Sequence, residues 1–334
     1  MDETFPRGRF VWHELATTDP DAAAAFYKKL VGWSLLPYAG MPEYRMWVAG
    51  GTPLGGLMKM PAPSRWLPYI AVPDVDASAR QAVTLGARTI VPPQDIPSVG
   101  RFSILADPHG AGFALYRSAG AEIGHDGPAK LGEFSWHELI TTDAVAAWEF
   151  YHTLFGWVKA EAMDMGPDGV YQMFSRAGSM IGGMYNLKPG TGARPHWLSY
   201  ANVPSADKAA ALVTKLGGKI LFGPMDVPGG DRIVSFTDAQ GVAFAVHATK
   251  AAATVATAKP AKKPTKKPAT TAAAKKSSAR KPAAKKKAIK KSATKKKTAA
   301  PARAKRKPAP RKKPAKKARR AARKRVAKKK GRRR

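Results

Sequence analysis

One stretch of this 334-residue chain occurs twice. Residues 8–33 read GRFVWHELATTDPDAAAAFYKKLVGW, and residues 132–157 read GEFSWHELITTDAVAAWEFYHTLFGW. The two align without gaps, with 16 of 26 positions identical. A repeat of that length means that the chain is built from copies of one structural unit. Later segments keep the same relation. Trp66-Leu67-Pro68-Tyr69 answers to Trp197-Leu198-Ser199-Tyr200, and Asp107-Pro108-His109-Gly110 to Asp238-Ala239-Gln240-Gly241. The offset grows from 124 to 131 residues, which places small insertions in loops around 163–170 and 189–195.

Within the first copy, residues 10–16 have strand composition. Strict alternation puts Phe10, Trp12 and Glu14 on one face and Val11, His13 and Leu15 on the other. Asp19 followed by Pro20 is a helix start. Ala23, Phe26, Tyr27 and Leu30 then form one buried helical stripe, and Gly32 ends the helix. Three strand candidates follow, at 33–38, 44–49 and 54–60. The same β-α-β-β-β order recurs over 66–117, with Asp74 or Asp76 as the helix cap. Domains are therefore expected at 7–118 and 132–248, joined by a Gly/Ala/Pro-containing linker at 119–131.

Charge divides the chain again. Residues 251–334 hold 37 Lys and Arg and no acidic residue, whereas residues 1–250 hold 21 basic and 23 acidic residues. The segment 249–334 has no aromatic residue and is expected to be disordered, because it cannot bury enough apolar surface to offset its ordering entropy. Its flexible cations suit phosphate neutralisation without base reading, so DNA or another polyanion is the expected partner. Candidate contacts are Lys262, Lys263, Lys285, Lys286, Lys287, Lys295, Lys296 and Lys297. Further along they are Lys312, Lys313, Arg319, Arg320, Arg332, Arg333 and Arg334. The segment resembles the lysine-rich C-terminal tail of linker histones.

The chain has no cysteine, which excludes disulfides, thiolate metal sites and cysteine nucleophiles. Its N-terminus lacks a signal-peptide pattern and no apolar run reaches the ~20 residues of a membrane span. A soluble, cytoplasmic, nucleoid-associated protein with no membrane partner is expected.

The patterns W-H-E-L-x-T-x-D, F-Y-x-x-L-x-G-W, G-G-x-M, G-R-F and D-P-x-G-A-x-F-A resemble the vicinal oxygen chelate superfamily. This group includes glyoxalase I, the bleomycin-resistance proteins and the extradiol dioxygenases. The resemblance implies an α+β fold of two tandem domains. Each domain pairs two βαβββ modules into a curved, cup-like sheet. It also implies where a divalent metal would be held: Trp12, Trp136, Ala114 and Ala245 fall on the usual His and Glu positions, and Leu67 and Leu198 on another. None of these side chains is a ligand for such a metal, so no cofactor is expected.

The ligand-binding candidates are Trp12, Glu14 and Arg101 in the first cup and Trp136, Glu138 and Arg232 in the second. An aromatic ring beside a carboxylate suits a small aromatic ligand. His13 and His137 are expected on the opposite face, in a structural role. His196 and His247 share the parity that points into the second cup. Gly55-Gly56 and Gly182-Gly183 are read as bulges or close backbone approaches rather than phosphate cradles. Two functions follow: a small-molecule-binding or enzymatic core tethered to DNA, or a nucleoid architectural protein whose core is a scaffold. A metal-dependent lyase or dioxygenase is disfavoured by the ligand positions.

Overall fold

The computed structural model describes residues 5–250. From residue 251 onward the basic segment, with the lysines and arginines singled out above, lies outside the described residues. The first copy runs β1 (Phe10–Thr17), α1 (Pro20–Leu30), β2 (Ser34–Tyr38), β3 (Met41–Ala49) and β4 (Thr52–Lys59). It continues β5 (Arg65–Ala71), α2 (Val75–Thr84), β6 (Arg88–Ile96), β7 (Gly100–Ala106) and β8 (Gly112–Ser118). The second copy begins with β9 (Phe134–Thr141), α3 (Ala144–Phe155), β10 (Val158–Asp164), β11 (Val170–Arg176) and β12 (Ser179–Asn186). Then come β13 (His196–Asn202), α4 (Ala206–Lys215), β14 (Lys219–Asp226), β15 (Arg232–Thr237) and β16 (Ala243–Ala248).

Each copy forms one eight-stranded sheet, in the orders β2-β3-β4-β1-β5-β8-β7-β6 and β10-β11-β12-β9-β13-β16-β15-β14. Two βαβββ modules thus join along β1 and β5, which run antiparallel, while the first and last strands of each module pair in parallel. Asp19 caps α1 by accepting the amides of Asp21 and Ala22, with Pro20 at the first helical position. Asp74, not Asp76, caps α2.

The helix-bearing faces of the two sheets pack against each other, and the cores are shared. Phe26, Tyr27 and Leu30 of α1 lie in one cluster with Trp33, Trp47 and Trp66 of their own domain and with Phe236, Phe244 and Val246 of the other. The mirrored cluster joins Tyr151, Phe155 and Trp157 to Leu105, Phe113 and Leu115. Hydrogen bonds cross reciprocally. The Trp33 indole donates to Gly132 O at 2.7 Å, and that of Trp157 to Gly8 O at 2.8 Å. The Tyr27 hydroxyl donates to Asp238 at 3.2 Å, and the Tyr151 hydroxyl to Asp107 at 3.0 Å. Each of these aspartates also takes two amides of its own turn, so the Asp-x-x-Gly turn of one domain is the receptor for the Phe-Tyr helix of the other. The linker is tied down by Asp126, which pairs with Arg9 and Arg176; those guanidiniums hold its carboxyl below the usual range.

His13 and His137 meet at the centre of this interface, Nε2 to Nε2 at 2.7 Å, sandwiched by Phe134 and Phe10. They occupy the face expected for them, but face each other rather than the helices. His137 Nδ1 lies 3.2 Å from the Ile181 carbonyl and donates to it. Its Nε2 therefore accepts from His13 Nε2–H. His13 Nδ1 then completes no hydrogen bond of good geometry, although the Leu54 carbonyl lies close enough to act on the ring. Burial keeps both rings neutral. The His137 pKa is pushed down to about 3 by burial, and that of His13 is lowered by burial and by its partner ring.

One correction concerns strand faces. Strict alternation assigned Phe10 to the face of Trp12, but a bulge between Phe10 and Trp12 shifts the register. Phe10 stacks on His137 in the interface, whereas Val11 packs with Trp12 in the cup. One inserted residue exchanges the faces on either side of it.

The unfolded chain protonates its imidazoles near pH ~6.5, and the buried pair does not. The pair's contribution to stability is complete above that pH. It falls on acidification, by at most about 1.4 kcal/mol per pH unit for each ring. In NMR spectra the ring signals of His13 and His137 should stay unshifted from pH 7 to pH 5. A midpoint for either ring within that window would refute the neutral pair.

Candidate functional site

The face of each sheet turned away from the domain interface, where the cup is expected, carries a glutamate gripped by phenols. In the first cup Trp12 and Glu14 project from β1, two residues apart on one face. The Trp12 indole donates to Tyr44 Oη at 2.9 Å, and Tyr44 Oη donates to Glu14 Oε2 at 3.2 Å. Tyr69 of β5 approaches the same carboxylate, and Arg65 lies near enough to act on it. In the second cup the Trp136 indole donates to Tyr171 Oη at 2.7 Å. Tyr171 and Tyr200 donate to the two oxygens of Glu138, at 2.9 and 2.8 Å. Each relay runs indole to phenol to carboxylate, and both are built from equivalent positions of the repeat.

The tyrosine can reach the glutamate only because the strand between them has no side chain there. Glu14 is registered with Gly56, and Glu138 with Gly183. A Cβ on Gly56 would overlap the Tyr44 hydroxyl, and one on Gly183 the Tyr171 ring. The preceding glycines, Gly55 and Gly182, sit against the carbonyls of His13 and His137. The Gly-Gly pairs are therefore close approaches, one on each face of the sheet.

Burial dominates the electrostatics. It raises the pKa of Glu14 and Glu138, and the phenol hydrogen bonds oppose it. It also raises those of Tyr69, Tyr171 and Tyr200, with the neighbouring carboxylate adding to the effect. Such a carboxyl can serve as a proton donor or acceptor at the bottom of an aromatic-walled cup. The walls are Leu67, Tyr69, Ala114, Tyr116 and Phe102 in the first cup, and Leu198, Tyr200, Tyr185, Ala245 and Ile233 in the second.

Arg101 and Arg232 are not part of this constellation. Both lie on the helix-bearing face, because β7 and β15 turn Phe102 and Ile233 into the cups. Arg101 binds Asp76 of α2 through two nitrogens, at 2.6 and 2.9 Å, and Asp95 through a third at 2.8 Å. Arg232 binds Asp207 through two nitrogens, at 2.8 and 2.9 Å, and Asp226 through a third at 2.9 Å. They clamp the helix start to the outer hairpin. Alternation along their own strands carried that information, since the neighbouring residues are the apolar ones facing the cup.

His196 and His247 lie on strand faces that look into the second cup but hold different partners. His196 Nδ1 meets the Arg194 carbonyl at 2.8 Å, while His247 binds Ser135 and Asp231. Tyr44, Tyr69, Tyr171 and Tyr200 belong to the site but are not among the ligand-binding candidates drawn from the sequence. Their signal was the pairing of each tyrosine with an equivalent one in the other copy, but its meaning required the cross-strand register.

The strands at the superfamily's metal positions present Trp12, Leu67 and Ala114, or Trp136, Leu198 and Ala245. The carboxylate beside these positions in each cup, Glu14 or Glu138, is already satisfied by phenols. Among the described residues no group of three or more His, Asp or Glu side chains is gathered to hold a metal ion. These donors do not fit the superfamily's metal.

Sheet topology, paired modules and the repeated cup define a glyoxalase-type protein. The chain belongs to the glyoxalase/bleomycin resistance protein/dioxygenase superfamily. Residues 12–116 match the glyoxalase-like domain, and residues 133–246 match the superfamily's broader glyoxalase description. It is 32% identical over 245 residues to the protein named "Putative glyoxylase CFP32" of Mycobacterium tuberculosis, covering 70% of this chain and 92% of that one. It is 30% identical over 262 residues to the anthracycline biosynthesis protein DnrV of Streptomyces peucetius, covering 72% and 94%. Among solved structures it resembles the 2,2',3-trihydroxybiphenyl 1,2-dioxygenase of Sphingomonas wittichii, with a TM-score of 0.54 at 15% identity over 73% of this chain and 91% of that one. The Mn(II)-bound glyoxalase of Novosphingobium aromaticivorans gives 0.51 at 15%, over 73% and 82%. At that identity the likeness is one of fold.

A carboxyl whose folded pKa is raised binds more protons folded than unfolded. Its ionisation therefore lowers stability as pH rises from ~4.3 toward the folded value. Glu138→Gln removes this dependence. The stability of the wild type minus that of Glu138→Gln should fall with pH above ~4.5, by at most about 1.4 kcal/mol per unit, in thermal melts compared across pH. A difference that stays flat or rises would contradict the assignment.

Proposed function

We propose that this protein binds a planar aromatic small molecule in its cups without the superfamily's divalent metal, and is tethered to DNA by its basic C-terminal segment. The observation that carries the first half is the duplicated relay of indole, phenol and carboxyl, set among apolar side chains on the same sheet face. An indole face gives stacking area, and a carboxyl with a raised pKa orients a hydroxyl or carbonyl on the ligand. That a relative is named for anthracycline biosynthesis supports a ligand of fused aromatic rings. The second half rests on charge. The excess of positive residues lies beyond residue 250, while the preceding part carries 21 basic and 23 acidic residues.

Isothermal titration of chelator-treated protein with a panel of fused-ring phenols and quinones tests the cup. Binding is expected without added metal. Trp12→Ala should weaken it by about tenfold or more at the first cup, because the stacking surface of the indole goes with the ring. Binding that appears only when a transition metal is restored would reverse the metal-free reading. No binding by any ring system would leave the nucleoid scaffold as the better account.

A mobility-shift comparison of the full chain with residues 1–250 tests the tether. The full chain should bind duplex DNA of any sequence. If about 6–10 phosphates are engaged, its affinity should drop by ~10³–10⁵ between 50 and 200 mM salt. Residues 1–250 should not bind. Equal affinities for the two would assign DNA binding to the folded domains.

A further inference from the structure

Three positions of the second domain have exchanged the residues of the first as a set. Where the first domain has Val11, Gly100 and Tyr116, the second has Ser135, Asp231 and His247. In the first domain the three are a packing arrangement. Val11 is buried, the Tyr116 hydroxyl donates to the Val99 carbonyl at 3.0 Å, and a Cβ on Gly100 would crowd that ring. In the second they form a polar chain. Asp231 Oδ2 lies 2.9 Å from His247 Nε2, and His247 Nδ1 lies 3.1 Å from Ser135 Oγ.

The chain has a direction. Asp231 is held by the turn 227–231, where Val227 N donates to its carbonyl, and its Oδ1 accepts the Lys250 amide at 2.8 Å. Oδ2 fixes the proton of His247 on Nε2, which leaves the Nδ1 lone pair facing the Ser135 hydroxyl at 3.1 Å, closer than the Tyr200 carbonyl, the hydroxyl's other acceptor, at 3.4 Å. Ser135 sits at the bulge in β9, where pairing jumps from Trp136–Tyr200 to Phe134–Ala201. The bulge brings Ser135 beside Trp136 on the concave side, as its counterpart does for Val11 and Trp12. The site is not sealed: the side chains of His247 and Asp231 are 16% and 32% exposed. Nothing in the cup relay requires these three residues, and the first domain manages the same fold without them.

We propose that Ser135, His247 and Asp231 form a nucleophilic relay acting on small carboxylic esters at the rim of the second cup. It is recognised by roles rather than position, with the two ring nitrogens exchanged relative to the familiar serine-hydrolase arrangement. Ser135 Oγ bonds to the ester carbonyl carbon while its proton passes to His247 Nδ1. The carbon–oxygen bond to the leaving alcohol breaks, and that alcohol takes the proton from Nδ1. Water then repeats the exchange on the acyl-serine, releasing the carboxylic acid and restoring Ser135. Asp231 is the positioning residue that holds the tautomer. The proposal is independent of the ligand and metal readings of the cups.

The test uses the full chain and an alkyl fluorophosphonate, which reports an activated serine without requiring turnover, followed by intact mass and peptide mapping. One adduct on Ser135 is expected. Ser135→Val, which installs the residue the first domain carries at this place, should abolish it. His247→Gln and Asp231→Asn should slow it by about tenfold or more, as loss of a general base does. Thermal melts of each variant separate loss of the relay from loss of the fold, and Ser135→Val also serves as a folded control for hydrolysis of p-nitrophenyl butyrate. Absence of an adduct on Ser135 in the wild type would overturn the proposal. So would labelling of folded His247→Gln at the wild-type rate.

Discussion

Two buried aspartates in turns, each receiving a tyrosine from the opposite domain, hold this structure together. Asp107 and Asp238 are buried carboxyls, and burial raises the pKa of both. They are tolerable only because each gathers two amides and one phenol. The phenols of Tyr27 and Tyr151 are in turn fixed by the indoles of Trp66 and Trp197, both at 3.0 Å. Removing either domain would leave the other with an uncovered aromatic core and a buried carboxyl short of a donor. The two domains are halves of one hydrophobic unit, with reciprocal, symmetric contacts around the His13–His137 pair.

That symmetry explains what the repeat preserves. An interface that uses the same patch on both halves needs the same residues twice. His13, Tyr27 and Trp33 all recur as His137, Tyr151 and Trp157, and all are interface residues. The concave faces obey a looser rule. The indole, the glutamate and its phenols recur, as do the glycines that admit the phenols. The surrounding wall varies: Met58 gives way to Tyr185, Arg65 to His196 and Tyr116 to His247. The interface is duplicated for stability, whereas each cup is free to diverge. No helix among the described residues is long and apolar enough to cross a membrane.

Much of the fold was legible in the chain. Gap-free self-similarity, the helix cap at Asp19 and strand-length apolar runs all report local physics that a sequence displays directly. The glutamate and tryptophan of each cup were also legible, since alternation places Trp12 and Glu14 on one face. Phe10 was misplaced because a bulge inserts one residue without a sequence signature of its own. Arg101 and Arg232 were misplaced because a basic residue near a predicted cup was weighed by its charge. Their partners, Asp76 and Asp207, lie 25 residues away on helices whose packing only the folded chain defines.

The sequence by itself determined the unit, its duplication, the identity of most side chains on each strand face and the separation of charge between residues 1–250 and the segment beyond. These depend on neighbours a few residues apart or on composition. Tertiary structure alone decided that the helix of one domain completes the core of the other. It also decided that two tyrosines converge on each glutamate through a gap left by glycine, and that Ser135, Asp231 and His247 meet. Each of these joins residues on different strands or domains. Register and docking, fixed by the collective fit of the two sheets, place them together, and no local periodicity encodes that fit.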